Sequence, residues 1–207
     1  MQPETVLAFD TSAAHCAAAL LLPDGRCLIR DEAMAKGQAE RLLPMLEDLL
    51  HDAGCAWSDL TLIGVGTGPG NFTGVRISVA AARGLSLSLG LPAIGVTRLE
   101  ALAYGLPRPI TVIEDARRDE VYVQHFVDGE PHAARLLAAG EVTAPGATTG
   151  NAAPPATALP ATVPLVEAIA RLAASRAGRS QPRPAPFYLR GADAAPPSDP
   201  PPVILDA

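Results

Sequence analysis

Residues 66–76, GTGPGNFTGVR, place four glycines directly after the apolar run LTLIGV. A glycine-rich loop between a strand and a helix can bind phosphate through its backbone N–H groups. A Walker A loop also needs a lysine after its last glycine, and none is present. The GxGxxG fingerprint fails too, because Asn71 and Thr73 occupy the position of the third glycine in the two possible registers. The pattern therefore favours glycines that let a strand turn sharply into a closely packed helix.

Side chains with metal-ligand spacing are the second place to look for chemistry. The three cysteines lie 11 and 28 positions apart, which provides neither a disulfide framework nor a CxxC metal motif. The four histidines show no HxxxH or HExxH spacing, which would place two imidazoles on one helix face. We predict no metal site and no cofactor, and we expect reduced, mostly buried thiols.

Composition limits the classes of function. The chain has 207 residues, 48% of them hydrophobic, which predicts one or two compact units. Its net charge of −6 argues against a protein that binds nucleic acid by itself, because such binding needs clustered Lys and Arg. An RNA role would need a basic partner. No apolar run reaches the ~18 residues of a membrane span, and the start lacks the basic residues of a signal peptide, so we expect a cytoplasmic protein.

Hydrophobic periodicity predicts the elements that position these residues. Residues 5–12 and two further strands joined at Pro23–Gly25 form a meander. A helix over residues 38–53 follows, with an apolar stripe at helical spacing. After the strand in LTLIGVGTG, Asn71 or Thr73 can cap a helix that runs to Leu89.

The predicted helix at residues 72–89 has almost no polar face. Its only charges are Arg76 and Arg83, and small residues recur along it. A helix that is apolar or small nearly all round must be covered on both sides. Full burial within this chain and contact with another subunit both remain open, and the broad stripe of the preceding helix favours a partner.

The second part of the chain repeats the beginning in outline. VIEDARRDEVYVQHF predicts a second meander with a charged turn at residues 116–119, a hint of internal duplication. Residues 131–164 are rich in Ala, Pro, Thr and Gly, so we expect only short strands and loops there. PLVEAIARLAASRAG predicts a helix, FYLR a last strand or docking segment, and the end a loose tail.

Five segments in this order and spacing resemble the TsaB (YeaZ) family: FDTS, LLPML, GPGNFTGVR, GLPAIGV and EDARRDEVY. The resemblance covers residues 5–126 almost continuously, and FYLR is similar to a family signature near the C-terminus. It implies an α/β fold of the actin, hexokinase and Hsp70 type (ASKHA) with two ribonuclease-H-like half-domains, the second reduced. The implied boundaries are 1–105, 106–192 and a loose tail at 193–207.

The same resemblance implies function and partners. TsaB-like proteins are subunits that bind the catalytic protein TsaD, together with the ATPase TsaE. The complex transfers a threonylcarbamoyl group to N6 of adenosine 37 in tRNAs that read codons beginning with A. We therefore expect a scaffold that is non-catalytic by itself, forms a homodimer when alone, and meets tRNA only through the complex.

The resemblance also indicates which residues bind the partner. The two helices at residues 38–53 and 72–89 are expected to build a helix bundle across the interface. The residues predicted to contact TsaD are Leu42, Met45, Leu46, Leu49, Phe72, Gly74, Val75, Val79 and Arg83.

One comparison within the wider family separates a scaffold from a catalyst. The catalytic relatives carry two metal-binding histidines, four residues apart, on the helix that follows GVPAVGV. In this chain Arg98 and Leu102 occupy those places, and neither side chain ligates iron or zinc at neutral pH. The catalytic metal site is therefore predicted to be absent.

The resemblance finally marks degenerate nucleotide loops. Asp10, Thr11 and Ser12 match the first phosphate turn of related kinases, and Asp115 and Arg117 match the second. Neither turn contains glycine, so we expect the aspartates to cap their turns.

Two further positions, Gly68 and Gly70, belong to the same possible phosphate site. An alternative function remains open: a small ATP-dependent phosphotransferase of the same fold, in which Asp10 or Asp115 would hold magnesium.

Overall fold

A computed structural model describes residues 4–190 of the chain, and its first part is built on a five-stranded sheet. The strand order is β3-β2-β1-β4-β5. β1, β2 and β3 form antiparallel pairs, whereas β4 and β5 run parallel to β1. The strands are β1 Val6–Asp10, β2 His15–Leu21, β3 Cys27–Ala33, β4 Leu62–Gly66 and β5 Ala93–Val96.

The second sheet repeats this pattern with four strands in the order β8-β7-β6-β9. β6, β7 and β8 form antiparallel pairs, and β9 runs parallel to β6. The strands are β6 Ile110–Asp115, β7 Glu120–Phe126, β8 Arg135–Ala138 and β9 Ala147–Thr149. The strand order of each half is the ribonuclease-H-like one, which confirms the predicted ASKHA fold and the duplication. The second half is reduced, since no fifth strand joins its sheet within residues 4–190.

Two long helices cover one face of the first sheet. α1 is Gln38–Asp52 and α2 is Phe72–Leu89, close to the predicted bounds. Asn71 caps α2 by accepting a hydrogen bond from the N–H of Gly74 at 2.9 Å, and Gly90 ends it in the left-handed conformation. Two 3-10 helices, Trp57–Asp59 and Ala139–Glu141, are the remaining short elements.

The opposite face of the first sheet is covered by the last helix of the chain. α4 is Leu165–Ser175, and its buried side chains pack against strands β1, β2, β4 and β5. The predicted division at residue 105 had assigned this helix to the second half. In the structure it packs on the first sheet instead, because its apolar face is buried there. The short helix α3, Arg98–Leu102, lies at the junction, with Leu99 in the core of the second half.

A segment without regular structure, residues 184–190, follows α4, and we call it the C-terminal strap. Of the two alternatives predicted for FYLR, a last strand or a docking segment, the strand does not form. The strap connects the halves: the N–H of Phe187 donates to the carbonyl of Thr67 at 2.8 Å, and Arg190 bonds the carbonyl of Ala116 and the carboxylate of Glu120. The predicted tail at 193–207 lies outside the described residues.

Two findings concern the environment of the chain. None of the helices in residues 4–190 has the length and apolar character that crossing a membrane requires. All three cysteines are free, but only Cys16 is buried, whereas Cys27 and Cys55 are half-buried, so the prediction of mostly buried thiols holds for Cys16 alone. Burial raises the pKa of the Cys16 thiol to about 11.

Candidate functional site

A cleft of about 830 Å³ lies between the two halves. The β1–β2 turn contributes Ser12 from one side, and the β6–β7 turn contributes Asp115 and Arg117 from the other. The glycine loop contributes Gly70, and α3 contributes Arg98. The structure therefore brings together the two turns and the glycine loop that the sequence marked as degenerate phosphate loops.

Asp10 ends β1 and caps the first turn. Its side chain is 1% exposed, and Oδ2 accepts hydrogen bonds from the Ser12 hydroxyl at 2.8 Å and the Ser12 N–H at 3.3 Å. His15 Nε2 lies 3.1 Å from the same oxygen, and its Nδ1 lies 3.3 Å from Asp31. The hydrogen bond to Asp10 raises the pKa of His15, against the opposing effect of burial. This carboxylate organises its own turn, in agreement with the predicted capping role.

The glycines after β4 allow the start of α2 to contact this turn directly. A Cβ on Gly74 would lie 1.9 Å from the carbonyl oxygen of Thr11, and a Cβ on Gly70 would lie 2.4 Å from that of Ser12. Two hydrogen bonds join the turn to the start of α2 at this close contact. The Thr11 hydroxyl donates to the Gly74 carbonyl at 2.6 Å, and the N–H of Asn71 donates to the Ser12 carbonyl at 2.7 Å. These glycines permit close packing within the chain, as the sequence analysis favours.

The second turn, between β6 and β7, is also held by hydrogen bonds within the chain. The N–H of Arg117 donates to the Asp115 carboxylate at 2.9 Å, and the N–H of Asp115 donates to the Asn151 side chain at 2.7 Å. Arg117, Arg118 and Asp119 are three consecutive residues with φ between +56° and +63°. This conformation is unusual for residues with side chains, and the capping bond at Asp115 helps to stabilise it.

An ion pair joins the halves at the cleft. Arg98 Nε donates to Glu114 Oε2 at 2.6 Å, and the other carboxylate oxygen accepts the N–H of Asn151 at 2.7 Å. The Glu114 side chain is 5% exposed. Arg98 is also fixed through its backbone, since its N–H donates to the Gly68 carbonyl at 2.7 Å. Glu114 was not among the predicted site residues, because its only signal in the sequence is a carboxylate inside an apolar strand.

The environment of this pair does not resemble a metal centre. Leu102 occupies the place of the second metal-binding histidine of the catalytic relatives, and its side chain packs against the core of the second half. Across residues 4–190, no group of three or more His, Cys, Asp or Glu side chains is arranged to hold a metal ion. Two buried atoms at the junction, Asp10 Oδ1 and Arg98 Nη1, have no hydrogen-bond partner within the same residues.

The predicted partner-binding side chains require a correction. Most of them face the first sheet, not the surface, because the apolar stripe of α1 packs mainly against β2 and that of α2 mainly against β4, in one core. Phe72, which is 42% exposed, and the half-buried Arg83 do reach the surface. Seven of the predicted residues are buried, and the six of them other than glycine are no more than 3% exposed: Leu42, Met45, Leu46, Leu49, Gly74, Val75 and Val79.

The opposite side of these helices is the surface that a partner could reach. It carries the large apolar side chains of Leu87, 80% exposed, and Leu43, 46% exposed. Three small residues of α2 are also exposed, at intervals of four: Ala80, Gly84 and Ser88. We call these five residues the outer face of α1 and α2.

Comparison with known proteins places the chain among tRNA-modification proteins. A family model described as "TsaD: tRNA N6-adenosine threonylcarbamoyltransferase" matches residues 29–167. An uncharacterized protein of Mycobacterium tuberculosis is 34% identical over 203 residues, which cover 95% of this chain and 96% of that protein. The tRNA threonylcarbamoyladenosine biosynthesis protein TsaB of Escherichia coli is 38% identical over 122 residues, which cover 56% of this chain and 52% of that protein. The TsaB protein of Buchnera aphidicola is 37% identical, with 68% and 67% covered.

A solved structure agrees with these matches. The YeaZ protein of Pseudomonas aeruginosa superimposes with a TM-score of 0.74 at 33% identity. The superposition covers 90% of this chain and all of the other. The similarity therefore includes the arrangement of both halves.

Proposed function

Because this chain belongs to the TsaB (YeaZ) family, we propose that it acts in tRNA threonylcarbamoyladenosine biosynthesis as a subunit that binds and activates TsaD. In this proposal TsaD performs the threonylcarbamoyl transfer to N6 of adenosine 37. TsaE joins them in a ternary complex, and the chain by itself forms a homodimer. Its own cleft is not a catalytic centre.

The outer face of α1 and α2 is the observation that carries the proposal. Leu87 alone is 80% exposed, and large apolar side chains on a surface rimmed by polar ones are typical of protein interaction sites. The small residues Ala80, Gly84 and Ser88 would let a partner helix approach the backbone of α2 closely. The family model that matches the chain describes TsaD, and in this proposal TsaD is the occupant of the outer face.

The chemistry of the cleft supports a non-catalytic role. Its carboxylates at Asp10, Glu114 and Asp115 all accept hydrogen bonds from neighbouring groups of the chain. Both turns that would have to bind phosphates lack glycine and use their backbone in contacts within the chain.

One observation favours the alternative of an ATP-dependent phosphotransferase. The two turns that bind phosphates in related kinases do face each other across an open cleft. A calorimetric titration of the purified chain with MgATP separates the two functions. Saturable micromolar binding with hydrolysis would support the phosphotransferase and count against the scaffold.

Reconstitution tests the proposal itself. TsaD and TsaE from the same genome, with the carbamoyl donor and tRNA, should form threonylcarbamoyladenosine only when this chain is added. Mass spectrometry of the digested tRNA measures the product. Full product formation without the chain would refute its role as an activator.

A further inference from the structure

Four arginines lie together without carboxylate partners. Other arginine side chains of this chain are paired with carboxylates, for example Arg41 with Glu32 and Arg176 with Glu100. Within residues 4–190, no ion pair with a carboxylate is formed by Arg76, Arg83, Arg179 or Arg183. In a protein of net charge −6, such a cluster of unpaired cations marks a locally positive surface.

Three of these arginines line one cavity. It has a volume of about 270 Å³, and its walls include Arg83, Arg179 and Arg183 together with the polar side chains of Ser86 and Gln181. No acidic residue is among its ten lining residues. Arginines that line one cavity without a carboxylate favour an anionic ligand, and phosphate oxygens match the planar N–H donors of guanidinium groups.

The fourth arginine extends this surface along α2 towards two aromatic rings. Phe72, Arg76 and Arg83 follow one another at spacings of four and seven, so they share one flank of the helix. Arg76 lies 3.8 Å over the ring of Phe72 and donates to the Tyr188 hydroxyl at 3.0 Å. Phe72 and Tyr188 stack at 5.1 Å, and each ring is about two-fifths exposed.

The C-terminal strap makes these groups one continuous surface. Arg83 Nε donates to the carbonyl of Pro184 at 2.7 Å, directly beside Arg183, and Tyr188 lies four residues further along. We call Arg76, Arg83, Arg179 and Arg183, with Phe72 and Tyr188, the arginine stripe. It runs along a flank of the helix that also carries Leu87 of the outer face.

We propose that the arginine stripe binds backbone phosphates of RNA when this chain is assembled with its partner. The inference rests on the proposed function, since the relatives named for tRNA modification supply the RNA. Arginines contact phosphate, and exposed aromatic rings provide a stacking surface for an unpaired base. Four cations on an acidic chain are too few for stable binding alone, so a basic partner docked beside them completes the site.

The test compares two variants in the complex of this chain with TsaD. Arg179→Ala/Arg183→Ala removes two exposed cations that make no ion pair, and Arg135→Ala is the control because it removes an exposed cation from strand β8 of the other half. Two phosphate contacts contribute about −1.4 to −1.8 to the slope of log K against log[salt]. At 0.15 M salt, the loss of both contacts corresponds to a roughly 15- to 30-fold lower affinity for tRNA. The double variant should weaken fluorescence-detected tRNA binding by that factor, raise the KM for tRNA and flatten the slope accordingly, while kcat and the affinity for TsaD stay unchanged.

Three outcomes would overturn the inference. A double variant whose tRNA affinity and salt slope match those of Arg135→Ala shows that the stripe does not contact RNA. A loss of TsaD or TsaE binding with an unchanged KM for tRNA shows that the arginines contact an acidic protein surface. If the wild-type chain gives no tRNA modification with TsaD at all, the proposed function fails first and the inference falls with it.

Discussion

The ion pair between Arg98 and Glu114 should be the main electrostatic contact that holds the two halves together. Arg98→Met keeps much of the aliphatic volume of the side chain and removes its charge. Glu114 would then keep a carboxylate that is 5% exposed, and within residues 4–190 the N–H of Asn151 would be its one remaining hydrogen-bond donor. Breaking a buried pair in this way is strongly destabilising, because the remaining charge is neither hydrated nor compensated.

The magnitude follows from the burial of the Glu114 carboxylate, which is 5% exposed, beside an Arg98 side chain that is 21% exposed. Removal of one partner from a buried pair costs about 3–5 kcal/mol in the free energy of unfolding. For a chain of this size each kcal/mol lowers Tm by roughly 2–4 °C, so Arg98→Met should lower Tm by roughly 6–20 °C. Glu114→Gln in the same chain removes the uncompensated charge, and the double variant should recover most of the loss.

Urea and thermal unfolding of the wild type, the two single variants and the double variant measure this coupling. Arg26→Met is the matched control, because the side chains of Arg26 and Asp24 are 73% and 52% exposed and a solvent-exposed pair contributes little to stability. The reasoning is refuted if Arg98→Met costs no more than Arg26→Met, or if the double variant is as unstable as the sum of the single variants.

Three further substitutions test the packing and the turn. Val79→Arg should unfold the chain instead of only disrupting an interface, since Val79 is 3% exposed; a folded variant by circular dichroism would contradict its core position. Gly74→Ala should cost several kcal/mol, because its Cβ would lie 1.9 Å from the Thr11 carbonyl oxygen, and an unchanged Tm would show that the turn can move aside. The pKa of His15 is raised in the folded state, so the stabilising contribution of its charged form is fully present below the unfolded-state pKa and is lost as the pH rises through the folded-state pKa. The loss of stability caused by His15→Asn should therefore be larger at pH 5.5 than at pH 8.5. The reverse order would contradict the contact with Asp10.

Element types and ends were largely predictable from the sequence. The apolar stripe of α1 repeats at helical spacing, and the caps of α2 at Asn71 and Gly90 are local signals that require no tertiary information. The duplicated meander and the family resemblance together predicted the fold of both halves, which the strand orders confirm.

The direction in which each helix faces could not be read in the same way. Periodicity shows that Leu42 and Met45 share a face, but it does not show whether a sheet of the same chain or a partner covers that face. α2 is apolar or small on nearly every side, so the sequence offered no contrast by which to identify Val79 as internal. The pairing of Arg98 with Glu114 depends on how two halves meet, and no local pattern encodes that contact.

The most direct test of the proposed role is the affinity of this chain for TsaD from the same genome, measured by calorimetry with light scattering. The wild-type chain should form a stable complex. Leu87→Glu should keep its Tm and lose that complex, because it places a charge at an 80% exposed apolar contact. Ala133→Glu, which adds the same charge at an exposed position of the other half, should bind as the wild type does. Absence of binding by the wild type, or equally tight binding by Leu87→Glu, would contradict docking through the outer face of α1 and α2.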